Sequence, residues 1–384
     1  MIDTEKGLNM KPQACCVLIP SLSPDERLPA YVQDLLAADF GLILVVDDGS
    51  APEYQPIFSR IDALDRCAVL HHEVNRGKGA ALRTGFAYLK EHTALQGVIT
   101  ADSDGQHTVK DTLNLASELG KKEELLLGSR DFFRNNPNVP SKSRFGNRVT
   151  SAVFRALYGV WLPDTQTGLR AFSRQLLDFM AEVKGDRFEY EMNMLIQCSL
   201  KKIPMRPITI ETIYHEENKG THFHPIRDSW RIYKLLLGTF LKFVSSSLIC
   251  WLVDILLFSL LKRWGLLADL ELHTPWLRAL SQSVEPVLLA TVIARVVSAT
   301  LNFLLNKNMV FKIRESKGAV LRYILLCVGV MLVSGVAVSA LHTLTGINST
   351  LIKIVVDFLL FFVNYRVQRA WVFPETKAVQ GKES

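Results

Sequence analysis

The sequence predicts an α/β domain, with a mostly parallel sheet and helices on both faces, followed by an all-α domain of four transmembrane helices. Three observations carry this expectation. Short apolar runs alternate with helical patterns through residues 1–233. Four long apolar segments crowd the stretch 243–365. The second half also repeats itself. A chain of 384 residues has room for two domains, at about 150 residues each. Its hydrophobic content of 48% and charged content of 21% exclude disorder and collagen-like repeats.

In the first half, four runs end in polar residues: CCVLIP (15–20), LILVVDD (42–48), GVITAD (97–102) and ELLLGSR (124–130). Helical stretches separate the first three. This is the βαβ rhythm of an open parallel sheet, whose ligands bind beyond the carboxyl ends of the strands. The polar residues of all four runs fall at that edge.

The edge carries three motifs. Asp102-Ser103-Asp104-Gly105-Gln106-His107 follows a strand directly. Two carboxylates at i and i+2, with an amide oxygen at i+4, suit a hard divalent cation that also takes water and substrate phosphate. The EF-hand ligand spacing is absent. Asn75-Arg76-Gly77-Lys78-Gly79-Ala80 opens a helical pattern running to about Glu91. A helix N-terminus with Lys and Arg attracts phosphate, although the Walker A spacing is missing. Asp47-Asp48-Gly49-Ser50 offers acceptors for a base N–H or a ribose hydroxyl.

In the second half, segments 243–261, 286–305 and 323–341 each have about the 20 residues a helix needs to cross the hydrocarbon core, and 351–365 is marginal. Lys307, Lys312, Arg314 and Lys317 follow the second segment, and Arg366, Arg369, Lys377 and Lys382 follow the fourth. The loop His342–Thr350 has neither Lys nor Arg. Lys262, Arg263 and Arg278 after the first segment are diluted by Asp269, Glu271 and Glu285. This distribution predicts a multi-pass protein of the cytoplasmic (inner) membrane, with the N-terminal domain and both termini in the cytoplasm. The polar N-terminus lacks the apolar core of a signal peptide.

Leu241-Lys242-Phe243-Val244 matches Leu321-Arg322-Tyr323-Ile324, and NFLLNKNMVF (302–311) matches NYRVQRAWVF (364–373). Two hairpins of the same polarity predict a parallel 2+2 repeat, and such repeats invite homo-oligomers. In this register Arg295 corresponds to Asp357. Asp254, Arg295 and Asp357 are expected to form one internal charge cluster. Just before the first segment, HPIRDSWRIYK (224–234) mixes aromatic and basic residues and reads as an interfacial helix. The expected boundaries are 1–222 for the α/β domain, 223–238 for the interfacial helix, 239–374 for the membrane domain and 375–384 for a tail.

The net charge of +6 needs no nucleic acid to explain it, because basic loops beside a membrane suffice. Cys15, Cys16, Cys67, Cys198, Cys250 and Cys327 form no C-x-x-C pair and are expected to be buried, reduced thiols.

The landmarks IPSLSPDER (19–27), VVDDGS (45–50), NRGKGAALRTGF (75–86), ADSDGQH (101–107), GSR (128–130), DTQTGLRAF (164–172) and FEYEMNML (188–195) occur in order over about 200 residues. Together they resemble the GT-A fold of family 2 glycosyltransferases, above all the dolichol-phosphate mannose synthases and undecaprenyl-phosphate glycosyltransferases. One motif departs: Leu22-Ser23-Pro24-Asp25-Glu26 stands where that branch has tyrosine-asparagine-glutamate after the proline. The stretches 294–311 and 356–373 resemble the GtrA-like membrane proteins tied to lipid-linked sugars.

The resemblance implies that Pro20, Asp25 and Asp48 contact the base and ribose of a nucleotide-diphosphate sugar, with Asp47 in support and Lys78 near the nucleotide. It implies that Asp102, Asp104 and Gln106, in the turn that holds Ser103, bind Mg²⁺ or Mn²⁺, and that Arg130 holds a phosphate. Arg144, Arg148 and Lys219, with His222, are the expected cations for the acceptor phosphate. Asp164, Glu189 and Glu191 are the carboxylates available to orient the sugar or take a proton, and Asp104, Arg130, Asp164 and Glu191 form the expected catalytic set. The implied reaction is inverting, metal-dependent transfer from a UDP- or GDP-sugar to a polyprenyl (undecaprenyl or dolichyl) phosphate in the bilayer. Two alternatives stay open: translocation of a lipid-linked sugar by the membrane domain, and a processive polysaccharide synthase. Gln368-Arg369-Ala370-Trp371 has the wrong spacing for the Q-x-x-R-W motif of the latter.

Overall fold

The computed structural model describes residues 10–120, 122–131, 141–211, 225–263, 286–313 and 318–374. The chain divides into two units, residues 1–236 and 237–384.

The first unit is built on a seven-stranded sheet: β1 (Cys15–Ser21), β2 (Leu42–Asp47), β3 (Cys67–His71), β4 (Gly97–Thr100), β5 (Leu125–Arg130), β6 (Arg170–Ser173) and β7 (Met205–Ile210). The strand order is β3-β2-β1-β4-β6-β5-β7. β6 runs antiparallel to both its neighbours, and every other pair is parallel. The apolar runs are continuous because helices cover both faces. Along β1, Cys16 and Leu18 enter one core cluster while Cys15, Val17 and Ile19 enter the other. That alternation follows from the two-residue period of a strand.

The helices are α1 (Arg27–Ala37), α2 (Gln55–Asp62), α3 (Lys78–His92), α4 (Val109–Glu118), α5 (Ser141–Tyr158), α6 (Leu177–Glu182), α7 (Glu189–Leu200) and α8 (Pro225–Arg263). The predicted interfacial segment and the first apolar segment are thus one helix over their described residues. Ile232, Tyr233, Leu235 and Leu236 of α8 pack into the core of the first unit. Tyr233 Oη lies 3.1 Å from Thr150 Oγ1, and Tyr158 Oη donates to the Leu236 carbonyl at 3.1 Å.

Among the described residues, the second unit holds the rest of α8 and three further helices, Pro286–Leu305, Ala319–Thr345 and Ser349–Val367. Among the described residues, two helical stretches, Trp230–Leu261 and Ala319–Thr345, are long and apolar enough to cross a membrane. The contacts in this unit are symmetric. The register that equates Leu241 with Leu321 equates Phe243 with Tyr323, and the one that equates Asn302 with Asn364 equates Phe303 with Tyr365. Phe243 meets Tyr365 at 5.2 Å between ring centroids, and the equivalent pair, Tyr323 and Phe303, meets at 5.4 Å. Residues equated with each other also touch. Asn306 Nδ2 donates to Gln368 Oε1 at 3.0 Å, and Phe311 stacks on Phe373 at 5.3 Å. Each hairpin ends in a π-helical turn, Asn306–Val310 and Gln368–Val372.

The expected three-charge cluster is corrected by the structure. Asp254 Oδ2 pairs with Arg295 Nη2 at 3.2 Å, whereas Asp357 pairs with Lys353 at 2.8 Å and accepts from Ser334 Oγ. The repeat explains the split: Ser334 is the equivalent of Asp254 and Asp357 that of Arg295, so each hairpin holds its own polar contact. The cysteine expectation also needs correction. All six are free, but Cys67 is half-buried and Cys327 is exposed.

Candidate active site

Parallel strands deliver their carboxyl ends to one edge, and a cleft of about 440 Å³ opens there. Pro20 comes to it from β1, Asp48 from the turn after β2, and Asp102, Ser103, Asp104 and Gln106 from the turn after β4. Arg130 ends β5, Lys78 begins α3 and Glu191 lies in the first turn of α7. Ile232 of α8 and Ser143 of α5 also line it.

At its centre, Lys78 Nζ lies 2.6 Å from Asp102 Oδ1 and 2.9 Å from Glu191 Oε1. His107 Nε2 is 3.4 Å from the other Asp102 oxygen. Burial pushes the Asp102 carboxyl up, but Lys78 and His107 outweigh it and hold the group far below the usual carboxylate range. The same ion pairs raise the Lys78 ammonium despite its burial. Asp104 is shifted the other way, raised first by burial and then by the neighbouring Asp102 charge. Its Oδ1 accepts the Gln106 backbone N–H at 3.0 Å. Gly168 closes the floor, with its carbonyl accepting from Thr100 Oγ1 at 2.8 Å.

The Asp47–Asp48 pair is directed at the protein's own loops. Asp48 Oδ1 accepts from Arg76 N at 3.0 Å and lies 2.8 Å from His72 Nδ1, while Oδ2 accepts from Gly77 N at 2.7 Å. Gly77 adopts φ 101°, against the Asp186 carbonyl, where an added Cβ would collide. The amides that lead into the N-terminus of α3 are therefore bound to Asp48. Asp47 is buried and clamps the following turn through Ser50 N, Gln55 and His71. Asp25 pairs with Arg27 at 2.6 Å, with half its side chain exposed, outside the cleft lining.

Asp164 is fully buried behind the cleft. Its Oδ2 accepts from Arg130 Nε at 2.8 Å, and its Oδ1 accepts from Arg130 Nη2 at 3.3 Å and Gln166 N at 2.9 Å. Both oxygens are committed, so Asp164 positions Arg130 and is poorly placed to take a proton. Glu189 receives the Asp186 and Arg187 amides of its own helix start. Arg144 and Arg148 lie on α5 outside the lining, and Lys219 and His222 lie outside the described residues.

Three contributors escaped the sequence reading. Arg170, 1% exposed, donates to the Thr167 carbonyl at 3.0 Å and the Glu191 carbonyl at 2.8 Å, tying the T-x-T-G turn to α7. In the sequence Arg170 and Gly168 stand inside the landmark DTQTGLRAF, and His107 ends ADSDGQH, with no role assigned to any of the three. Among the described residues, no three His, Cys, Asp or Glu side chains form a metal cage. The donor set that fits a divalent ion is the sparser one of Asp102 and Asp104, which leaves coordination positions for a diphosphate.

Two family models match the chain. Residues 16–180 match glycosyl transferase family 2, and residues 242–373 match the GtrA/DPMS transmembrane domain. The UDP-N-acetylglucosamine–dolichyl-phosphate N-acetylglucosaminyltransferase of Methanococcus voltae is 28% identical over 227 residues, 54% of this chain and 89% of its own. The polyprenol monophosphomannose synthase of Mycolicibacterium smegmatis is 29% identical over 171 residues, 43% of this chain and 64% of its own. Among solved structures, glucosyl-3-phosphoglycerate synthase from Mycobacterium tuberculosis, in complex with Mn²⁺, UDP and phosphoglyceric acid, aligns with TM-score 0.42 and 18% identity. That alignment covers 58% of this chain and 77% of that one.

Proposed function

From a chain that belongs to glycosyl transferase family 2 over residues 16–180 and to the GtrA/DPMS transmembrane domain family over residues 242–373, and is therefore a glycosyltransferase, we propose a polyprenyl-phosphate sugar transferase. The donor is a UDP- or GDP-linked sugar and the acceptor a polyprenyl phosphate. The acceptor phosphate attacks the anomeric carbon with inversion, and the nucleoside diphosphate leaves.

The observation that carries this reading is the wall of the cleft. Ile232, on the helix that continues as an apolar candidate span, lines the same cavity as Asp102, Asp104 and Arg130. An acceptor with a lipid tail and a phosphate head needs both surfaces. The two relatives named above act, by their names, on dolichyl and polyprenol phosphates.

Asp102 and Asp104, with Gln106 beside them, would hold Mg²⁺ or Mn²⁺, which when bound neutralises the departing diphosphate as a Lewis acid. Pro20 and Asp48 flank the nucleotide end of the cleft. Arg130, held by Asp164, presents a forked cation to a phosphate. Glu191 is the carboxylate left at the cleft to orient the sugar. A phosphate acceptor is already ionised at neutral pH, so a dedicated base is not required. The Lys and Arg distribution supports a cytoplasmic transferase unit on a multi-pass protein of the cytoplasmic membrane.

The test is direct. Purified protein in detergent, with undecaprenyl phosphate and Mg²⁺ or Mn²⁺, is offered radiolabelled UDP- and GDP-sugars, and the lipid phase is extracted. Label entering the lipid from one donor, and lost in Asp104→Ala, supports the proposal. Metal-dependent release of nucleoside diphosphate without lipid label would overturn the acceptor assignment.

A further inference from the structure

Lys78 occupies the place where a cation is wanted. It is the nearest positive charge to Asp102 and Glu191, with Asp104 as a third carboxylate of the same cleft. Both Asp102 oxygens are engaged, one by Lys78 Nζ and the other facing His107 Nε2, with Gly168 packed against the group. A divalent ion shared by Asp102 and Asp104 would compete with Lys78 for the Asp102 carboxylate. The anchoring of Lys78 suits such an exchange. The loop before it is fixed through the Asp48 bonds to the Arg76 and Gly77 amides, whereas its ammonium is a compact charge on a flexible four-carbon stem.

We propose that Lys78 is an exchangeable internal counterion. In the empty cleft it neutralises Asp102 and Glu191, and it moves to the donor's diphosphate when metal and diphosphate enter together. This rests on the metal reading of the cleft given above and adds an order to it. Metal alone competes with Lys78 and binds weakly. Metal with diphosphate gives Lys78 a new partner and binds tightly. A ligand shifts such an equilibrium only by its differential affinity for the two arrangements, and here the diphosphate supplies it.

The exchange is read from metal binding, without turnover. Free Mn²⁺ is followed by electron paramagnetic resonance during titration of the full-length protein in detergent, with and without inorganic pyrophosphate. Relative to the unaltered protein, Lys78→Met is expected to bind Mn²⁺ alone about tenfold more tightly, one factor of ten being a modest electrostatic change. With pyrophosphate that gain should vanish or reverse. Lys78→Arg, which keeps the charge, should behave like the original. The Lys78→Met/Glu191→Gln double variant removes the buried pair together and carries the same expectation if the single variant does not fold. A folded Lys78→Met that binds Mn²⁺ alone no better than the original overturns the exchange. Failure of the unaltered protein to bind Mn²⁺ even with pyrophosphate would instead overturn the metal reading on which it rests.

Discussion

A methyl group added at Gly168 would press into the Asp102 carboxylate, inside van der Waals contact of both its oxygens. Asp102 cannot yield freely, because Lys78 and His107 hold it from other sides. We expect Gly168→Ala to fold normally yet lose about 100-fold in kcat/KM, the usual consequence of moving a positioning group by about 1 Å. Circular dichroism and steady-state kinetics check the two halves of that statement; wild-type kinetics would show that Asp102 is free to shift. Asp164 makes a different residue-scale case. Asp164→Asn removes the buried carboxylate that holds the Arg130 guanidinium, a loss of about 3–5 kcal/mol on general grounds. Thermal unfolding should report it as a large drop in Tm, where a surface carboxylate would leave Tm unchanged. Asp47 yields a pH dependence. Burial pushes its carboxyl up, but bonds from Ser50, His71 and Gln55 outweigh this and hold it below the ordinary range. A carboxyl lowered on folding stabilises the fold above its unfolded value, near about 3.9, and that contribution fades as pH falls from there through the folded value. Stability should therefore fall below about pH 4, and Asp47→Asn should flatten that arm of the stability curve.

At the scale of elements, what was legible in the sequence depended on how much apolar surface each element buries. β1, β2, β4 and β5 lie inside the sheet with both faces covered, and their apolar runs stand out. β3, at the edge, is only half-buried, β6 is four residues beginning with Arg170, and β7 alternates exposed and half-covered positions. None of these three announces itself by composition. The site shows the same divide. Asp102 and Asp104 were found because they sit in a strand-end motif, and Lys78 because it sits in a glycine-rich motif that opens a helix. The commitment of Asp48 to the Arg76 and Gly77 amides, and of Asp164 to Arg130, depends on contacts 28 to 34 residues apart in sequence that no local pattern reveals. In the second unit the repeat was legible as letters, but its meaning lies in contacts. Asn306 and Gln368 bond each other where the two hairpins meet, and each donates to a residue one turn earlier, Asn302 and Asn364. Asn306→Ala strands partners inside an apolar unit and should cost about 1 kcal/mol, in keeping with polar contacts between membrane helices. Replacing Asn306 and Gln368 together by Leu should cost less than the two single changes summed. A double-mutant cycle of Tm in detergent decides this, and strict additivity would mean the contact contributes nothing to the meeting of the hairpins.

For the whole molecule, the instructive feature is that the division between the two units falls inside a helix. α8 contributes Ile232 to the cleft and Leu236 to the core of the first unit, and both lie at the start of the apolar candidate span Trp230–Leu261. A soluble acceptor would gain nothing from such a connection. An acceptor confined to a bilayer gains a great deal, since a catalytic unit fixed at the membrane meets it at high effective concentration. Ile232 offers a way to separate the acceptor from the donor. It supplies apolar surface to the lining where the motif residues supply charge. Ile232→Asp would place a carboxylate in that wall, repelling a phosphate head and disfavouring an apolar tail. We expect the KM for the polyprenyl phosphate to rise at least tenfold, about 1.4 kcal/mol, while the donor's KM and Mn²⁺ binding stay unchanged. If donor and acceptor constants rise together, the wall serves the cleft as a whole. An unchanged acceptor KM would mean that the lipid enters by another face, and α8 would then be a tether and no part of the acceptor site.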